Sequence, residues 1–293
     1  MLDFKNVTFE DIETVRGYFD RCASHSSDYT TGIIYMWRGF YDMKFARCED
    51  ALIFSLSYDG GKEAFLLPHS ERFEKVVRET EDYCRETGKP MHFYSVEEEM
   101  IEKIKSVYPE CRYYAEDMWA DYVYEADMIK NLTGKKYSTQ RNHINKFNRL
   151  YPDYTFEEIT QDDIDACVAL SEKRAEAKED EQAVEETKAV KDVLDNLGKY
   201  GFLTGILKVD GVAVGFSCGE IINDMLTVHI EKADTSFDGV YPVLTHLFLE
   251  KYADEKVKYV NREDDSGDEG LRKSKLSYHP CKMVKKYFVE IDL

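Results

Sequence analysis

The sequence predicts a mixed α/β protein of two tandem domains with the same element order, joined by a basic helix. Three observations lead to this prediction. Hydrophobic periodicity gives the order β-α-α-β-β-β-α-β-α-β(β) in residues 1–126 and again from residue 154 onward. Each half has an Asp-Gly pair typical of a hairpin between early strands, at Asp59-Gly60 and at Asp210-Gly211. Between the halves, a helix at about 135–150 contains Lys and Arg but no Asp or Glu.

The elements of the first half follow from caps, helix breakers and alternation. Thr8 and Ser70 are predicted N-caps, and Gly88 with Pro90 ends the helix that Ser70 begins. In order, we predict a strand at 4–8, helices through 9–19 and 33–41, strands at 44–48, 51–58 and 63–67, a helix at 71–86, a strand at 91–96, a helix at 97–108 and an antiparallel strand pair within 111–126.

The second half repeats this order, and Thr160 caps its first helix. In order, we predict a strand at 154–159, helices through 164–170 and 190–198, strands at 202–209, 212–222 and 225–231, a helix at 240–252, a strand at 257–260, a helix at 271–277 and a last strand pair within 283–291.

This order resembles that of the GNAT N-acyltransferase fold, a mixed sheet splayed between its fourth and fifth strands. We therefore expect two GNAT-like domains, at 1–126 and at 127–293, with the basic helix belonging to the second. GNAT enzymes bind phosphate at a Gly-rich turn after the fourth strand. The corresponding place in the first half, Leu67–Glu71, has no glycine. The first domain is thus expected to be non-catalytic, and the second to hold the active site.

Composition limits the function classes. The chain has 58 Asp and Glu against 39 Lys and Arg, a formal net charge of −19, which disfavours a general nucleic-acid or anionic-membrane surface. Its seven Cys include no CxxC pair and are expected to be reduced thiols. The first residues do not have the pattern of a signal peptide, and no apolar run approaches the ~20 residues of a membrane span. We expect a cytoplasmic protein.

The stretch Asn261–Pro280 leads from a strand end through an acidic loop into a basic helix. Corners at the carboxyl end of a strand are where α/β folds place ligands. The alternative is a solvated loop followed by a basic helix face. The candidate substrate-binding residues in this stretch are Asn261, Arg262, Asp264, Arg272 and Lys275.

Acyl transfer to an amine requires a base for the amine proton, donors for the tetrahedral oxyanion and an acid for the leaving group. Glu263 and Glu231 are the candidate bases, and Tyr278 is the candidate acid. Structural roles stay open for two of them. In a structural role, Glu231 would form an ion pair with Arg262 or Arg272, and Tyr278 would cap the hydrophobic core.

Alternation along the strand at 225–231 places Thr227, His229 and Glu231 on one face. A polar face in the centre of a mixed sheet needs a partner or a ligand. We therefore add His229 to the candidate substrate-binding residues.

The turn at Thr235–Pro242 corresponds to the phosphate site of GNAT enzymes. Only its Gly239 fits that pattern, and Asp238 adds an unfavourable charge. The basic helix either pairs with acidic neighbours or contacts the phosphates of a cofactor or an RNA end. The candidate cofactor-binding residues are Arg141, Asn142, Gly239, Val240 and Tyr241.

Four motifs together resemble a bacterial family whose domain is similar to the C-terminal domain of phosphatidylglycerol lysyltransferase (lysylphosphatidylglycerol synthase). They are Leu132–Phe147, Val228–Asp234, Asp238–Tyr241 and Asn261–Pro280. The resemblance implies a tandem GNAT fold related to the Fem aminoacyltransferases, which use aminoacyl-tRNA. In those relatives the groove runs through the second domain and across the linking helix. The lipid-modifying enzymes carry many membrane spans that this chain lacks, so the resemblance does not imply phosphatidylglycerol lysylation.

We therefore expect an acyl- or aminoacyltransferase that moves its group from acyl-CoA or aminoacyl-tRNA to an amine or hydroxyl of a small-molecule or peptide acceptor. The acceptor end of a tRNA is the expected macromolecular partner, and the sequence leaves the oligomeric state open. The acidic loop lacks the spacing of an EF-hand, so no metal is predicted. The alternative is a non-catalytic module that binds a small molecule or a peptide.

Overall fold

A computed structural model describes residues 2–58, 60–175 and 181–293. The chain divides into two compact units. The first comprises Met1–Asp121, Asp264–Glu269 and Met283–Leu293, and the second comprises Tyr122–Glu263 and Gly270–Lys282. This division differs from the predicted ranges of 1–126 and 127–293 because the end of the chain belongs to the first unit.

Strands and helices alternate in the predicted order. The strands are β1 (Lys5–Asn6), β2 (Lys44–Cys48), β3 (Ala51–Tyr58), β4 (Lys62–Leu66), β5 (Met91–Val96), β6 (Arg112–Ala115), β7 (Asp121–Glu125), β8 (Tyr154–Glu157), β9 (Leu203–Val209), β10 (Val212–Ile222), β11 (Met225–Ala233), β12 (Tyr259–Asn261), β13 (Lys282–Val284) and β14 (Tyr287–Ile291).

The α-helices are α1 (Ile12–Phe19), α2 (Thr31–Trp37), α3 (Phe73–Thr87), α4 (Glu98–Val107), α5 (Ala126–Asn131), α6 (Ser138–Leu150), α7 (Ile164–Ala175), α8 (Glu181–Asp195), α9 (Leu197–Tyr200), α10 (Val240–Tyr252) and α11 (Glu269–Leu276). Short 3-10 helices lie at Phe9–Asp11, Ser27–Tyr29, Asp117–Trp119, Lys135–Tyr137 and Gln161–Asp163. In the part of the chain that the structure describes, no helix is long and apolar enough to cross a membrane.

The strands form two mixed sheets, which confirms the predicted fold class. Their orders are β1-β2-β3-β4-β5-β14-β6 and β13-β7-β12-β11-β10-β9-β8. In each sheet the fourth and fifth strands of the repeat, β4 with β5 and β11 with β12, pair in parallel. The hairpin at Asp210-Gly211 is confirmed, because Val209 pairs with Val212 and both turn residues have positive φ. In the first hairpin, β3 pairs with β4 as expected, while Asp59 lies outside the described residues.

Each sheet takes one strand from the other half of the chain. Strand β14 pairs with β5 and β6, and β7 lies between β12 and β13. The antiparallel pair predicted within 111–126 and the strand pair predicted within 283–291 are therefore wrong. Neighbouring strands in the sequence do not pair with each other there, because each completes a different sheet.

The linking helix α6 belongs to the second unit. Its apolar side is covered, since Tyr137, just before it, and Phe147 are buried, and Ile144 packs against the clusters of both. Helix α6 lies on α10, and α10 covers one face of β9, β10 and β11. This packing places the start of α10 under the basic helix.

Candidate functional site

Strands β11 and β12 diverge at the centre of the second sheet. Their parallel pairing ends at Thr227 and Asn261, whereas β11 continues to Ala233. We call this point the splay of the second sheet. Side chains on β11 after Thr227, and residues after Asn261, meet at the splay without a strand between them.

A β-bulge in β11 lies at the splay. Val228 pairs with Gly219 and Ile230 pairs with Cys218, so His229 is an extra residue that β10 does not match. Gly219 is required here, because a Cβ atom on it would lie 2.3 Å from the carbonyl oxygen of Thr227. Bulges of this kind re-aim side chains and are common beside active sites.

The bulge reverses the alternation of β11. Before it, Val228 packs with Phe248 of α10. After it, Glu231 pairs across from Ser217 and accepts a hydrogen bond from the Thr245 hydroxyl of α10 at 2.7 Å. The prediction that Glu231 shares a face with His229 is therefore wrong, because alternation cannot anticipate an inserted residue.

Each ring nitrogen of His229 is hydrogen-bonded to a carboxylate. Its Nδ1 lies 2.7 Å from Glu263 Oε1 and its Nε2 lies 2.9 Å from Glu220 Oε1. The ring is fully buried and stacks on Phe202 at a centroid distance of 5.2 Å. Burial lowers the pKa of His229, but the bonds and charges of the two carboxylates outweigh it and raise the pKa to about 9. The ring is thus an imidazolium at neutral pH. His229, Glu220, Glu263 and Phe202 form the His229 cluster.

Glu263 is the carboxylate of this cluster that solvent reaches, with 24% of its side chain exposed, against 9% for Glu220. Its backbone is fixed in the left-handed region at φ 57°. The Glu263 N–H donates to Asn261 Oδ1 at 2.6 Å, and its carbonyl accepts from the Tyr122 N–H at 3.1 Å. The strained backbone therefore has partners on both sides that hold it.

A second group of polar and charged side chains, which we call the Arg262 cluster, consists of Arg262, Glu231, Thr245 and Tyr278. Arg262 Nη2 donates to Glu231 Oε2, while Thr245 donates to Glu231 Oε1. The Arg262 guanidinium lies 5.0 Å from the ring centroid of Tyr278. Glu231 thus has both oxygens bonded to buried donors, which is the pairing alternative weighed from the sequence.

Tyr278 is 5% exposed and packs in a core that includes Leu226 and Phe248. Its ring meets that of Tyr124 edge-on at 6.5 Å. Burial raises the pKa of Tyr278 to about 12, so its hydroxyl keeps its proton at neutral pH.

Two predicted substrate-binding residues bind groups of the protein. Lys275 is buried, and its Nζ donates to the carbonyls of Arg262 at 2.5 Å and Glu263 at 3.3 Å. Asp264, in the first unit, accepts from Ser266 at 3.0 Å. Arg272 is partly exposed on α11.

The turn before α10 is closed by α6. Gly239 caps α10 at φ 87°, and a Cβ atom on it would lie 2.6 Å from the carbonyl oxygen of His143. Asp238 forms an ion pair with Lys146 of α6. The N–H groups of Ser236, Phe237 and Val240 are all bonded within the turn. Val240 is buried, and the Tyr241 hydroxyl accepts the N–H of Ala233 at 3.3 Å.

The basic residues in and just before α6 differ in what they contact. Arg141 donates to the carbonyls of Leu132 and Gly134, so it closes the turn before α6. Lys135 and Arg149 are exposed and form no ion pair within the described ranges 2–58, 60–175 and 181–293. Asn142 is also exposed.

Sequence reasoning missed Glu220, Phe202 and Thr245. Of these three, only Glu220 could have been found from the sequence, because a carboxylate inside a largely apolar strand needs a buried partner. Within the described residues, no group of three or more His, Cys, Asp or Glu side chains could hold a metal ion.

Comparisons with known proteins bear on this site. A family model described as "Phosphatidylglycerol lysyltransferase, C-terminal" matches residues 19–290. The chain is similar to a conserved protein of unknown function from Bacteroides thetaiotaomicron VPI-5482, with 32% identity, a TM-score of 0.95 and coverage of 100% of both chains.

More distant likenesses concern the fold. The C-terminal domain of a putative lysylphosphatidylglycerol synthetase from Agrobacterium fabrum is 15% identical with a TM-score of 0.72, over 97% of this chain and 92% of that one. A tandem GNAT protein from the clavulanic acid biosynthesis pathway is 11% identical with a TM-score of 0.53, over 100% and 99%. An uncharacterized protein of Mycoplasmoides gallisepticum is 26% identical over 174 residues, which span 58% of this chain and 56% of that protein. The likenesses to the solved structures confirm the tandem GNAT-like fold.

Proposed function

We propose that this chain, which belongs to the family of phosphatidylglycerol lysyltransferase C-terminal domains, is a transferase. The protein transfers an acyl or aminoacyl group to an amine or hydroxyl of an acceptor. The observation that carries the proposal is the Glu263 carboxylate, which is partly exposed at the splay and bonded to the imidazolium of His229.

Glu263 acts as the base in this proposal. Its carboxylate takes the proton as the acceptor nitrogen or oxygen forms a bond to the acyl carbon, and the bond from that carbon to the donor oxygen or sulfur then breaks. The His229 imidazolium lies 2.7 Å from Glu263 Oε1 and holds that carboxylate by a charged hydrogen bond. Base catalysis of this kind contributes about 10²–10⁴-fold in rate. Glu231 is a poorer base, because Arg262 and Thr245 bind its two oxygens.

Tyr278 is the leaving-group acid predicted from the sequence, but it is 5% exposed and packs in the core, which favours a structural role. A hydroxyl with a pKa of about 12 gives its proton to a strongly basic alkoxide but not to a thiolate, which is a much weaker base. Its neighbour Arg262 carries a positive charge that stabilises negative charge in the same region.

Two observations favour aminoacyl-tRNA over acyl-CoA as donor. In the turn at the start of α10, the N–H groups of Ser236, Phe237 and Val240 are bonded internally, so these three do not serve a pyrophosphate. Exposed cations at Lys135 and Arg149 suit an RNA backbone instead.

The first unit is proposed to be non-catalytic. Its buried Lys286 is surrounded by protein acceptors: Asp121 Oδ1 at 2.7 Å, Asp28 Oδ2 at 3.1 Å and Ser27 Oγ at 3.1 Å. A cation with this many internal partners stabilises the unit and is poorly suited to bind a substrate.

An experiment that compares two donors tests the function. The full chain is incubated with labelled aminoacyl-tRNA or labelled acetyl-CoA, each with a pool of amine and hydroxyl acceptors, and products are identified by mass spectrometry. We expect enzyme-dependent transfer from aminoacyl-tRNA, together with thermal stabilisation by a non-hydrolysable 3′-aminoacyladenosine analogue. Stabilisation only by a peptide or a metabolite, with no transfer from either donor, would support the binding module instead.

A further inference from the structure

We propose that Glu220 is a positioning residue that acts through His229 to keep the Glu263 carboxylate ready to take the acceptor's proton. The proposal rests on the proposed function, because it assigns Glu220 a role in the same reaction. Glu220 itself is too deeply buried to touch an acceptor, with 9% of its side chain exposed.

The geometry leaves the His229 ring one orientation. Glu220 Oε1 accepts from Nε2 at 2.9 Å, Glu263 Oε1 accepts from Nδ1 at 2.7 Å, and Phe202 covers a ring face. Turning the ring would break both bonds at once. The bulge at His229 brings the ring level with Glu220, which itself pairs across from Thr227.

Glu220 also supplies charge that the buried ring needs. Burial alone opposes the imidazolium, and the hydrogen bond to Glu220 is the largest of the effects that favour it. Without Glu220, the Nε2 N–H would be buried with no acceptor, which disfavours the protonated ring further. Thr227, across from Glu220, carries a buried neutral hydroxyl that cannot replace a carboxylate charge.

The titratable groups that face the ring are Glu220 from β10 and Glu263 from the segment after β12. Removing the charge of Glu220 therefore leaves Glu263 as the one anion beside the ring. The pKa of His229 should then fall below about 9. Above that lower pKa, Glu263 loses the cation that holds its proton-accepting form in place.

The test variant is Glu220→Gln, which keeps size and a hydrogen-bond acceptor but removes the charge. Its matched control is Glu63→Gln in the first unit, where a glutamate with the same 9% side-chain exposure pairs with Lys89. Glu220→Asp keeps the charge and serves if the Gln variant does not fold. Ring nuclei of His229 and the carboxyl carbon of Glu263 are followed by NMR from acid to alkaline pH, and turnover is measured over the same range.

In the wild-type protein we expect the His229 ring and the Glu263 carboxyl carbon to change together near pH 9, with the alkaline limb of turnover at the same pH. Glu220→Gln should move all three to lower pH by about 1–3 pH units. Glu63→Gln should move none of them, and Glu220→Asp should keep the high pKa of His229.

Two results would overturn the proposal. One is a wild-type His229 that titrates at or below its ordinary value. The other is a Glu220→Gln protein whose Glu263 carbon and alkaline limb stay at the wild-type pH while only the rate falls, as a merely structural role requires. If the wild-type protein shows no turnover with any donor, the transferase proposal fails, but the NMR titrations still decide the role of Glu220.

Discussion

The His229 cluster and the Arg262 cluster both join a buried cation to glutamates of the second sheet, yet solvent reaches them differently. Glu263 is 24% exposed and shares His229 with a second carboxylate. Glu231 is 12% exposed, and Arg262 and Thr245 bind its two oxygens. A carboxylate that solvent reaches can exchange protons with a substrate, whereas one enclosed by donors mainly stabilises the fold. Exposure therefore separates the proposed base from its neighbour.

The largest expected effect on stability comes from breaking the Arg262 cluster. Arg262→Ala leaves Glu231 buried without its cation, so the free energy of unfolding should fall by about 3–5 kcal/mol. The matched control is Arg78→Ala, which removes an exposed arginine from Glu81, a carboxylate that Arg85 still pairs with, and should cost at most about 1 kcal/mol. Urea unfolding measures both. Equal losses would remove the distinction between a buried and an exposed pair.

The His229 cluster should instead show a pH-dependent contribution. The rise of the His229 pKa from 6.5 to about 9 corresponds to about 3 kcal/mol of stability. Because the folded pKa is the higher one, this stability is fully present below pH 6.5 and is lost as pH rises through about 9. The difference in unfolding free energy between the wild-type protein and His229→Gln should therefore shrink across that window. A difference that stays constant or grows would contradict the raised pKa.

A smaller effect should come from the bulge that separates the two clusters. Gly219→Ala places a Cβ atom 2.3 Å from the Thr227 carbonyl oxygen, so β11 must shift, at about 1–3 kcal/mol. Gly198→Ala on α9 is the control, because a Cβ atom there meets nothing within 4 Å and should leave stability equal or slightly higher. Thermal unfolding distinguishes them. A neutral Gly219→Ala would mean that the bulge does not depend on this glycine.

Element order and the Asp210-Gly211 hairpin could be predicted from the sequence, because caps, turns and alternation are local properties. The exchange of β7 and β14 between the sheets could not. A strand pattern states which face is buried but not which sheet the strand joins, so sequence neighbours were paired by default.

The candidate site was predictable only in part. The sequence stretch after β12 and the polar residues of β11 pointed to Glu263 and His229, which the structure brings within 2.7 Å. Glu231 was placed on the wrong face because an inserted residue leaves no mark in the alternation. Glu220 was missed because its partner lies on another strand, and only the folded sheet brings the two together.

The most direct test of the account compares Glu263→Gln with Glu231→Gln, in turnover and in thermal unfolding. We predict that Glu263→Gln lowers turnover by about 10²-fold or more with a melting temperature near that of the wild-type protein. Glu231→Gln should lower the melting temperature, because Arg262 loses its counter-charge, while the folded fraction keeps most of its rate. A Glu263→Gln protein that keeps its rate, beside a stable Glu231→Gln protein that has lost it, would contradict the assignment of Glu263 as the base.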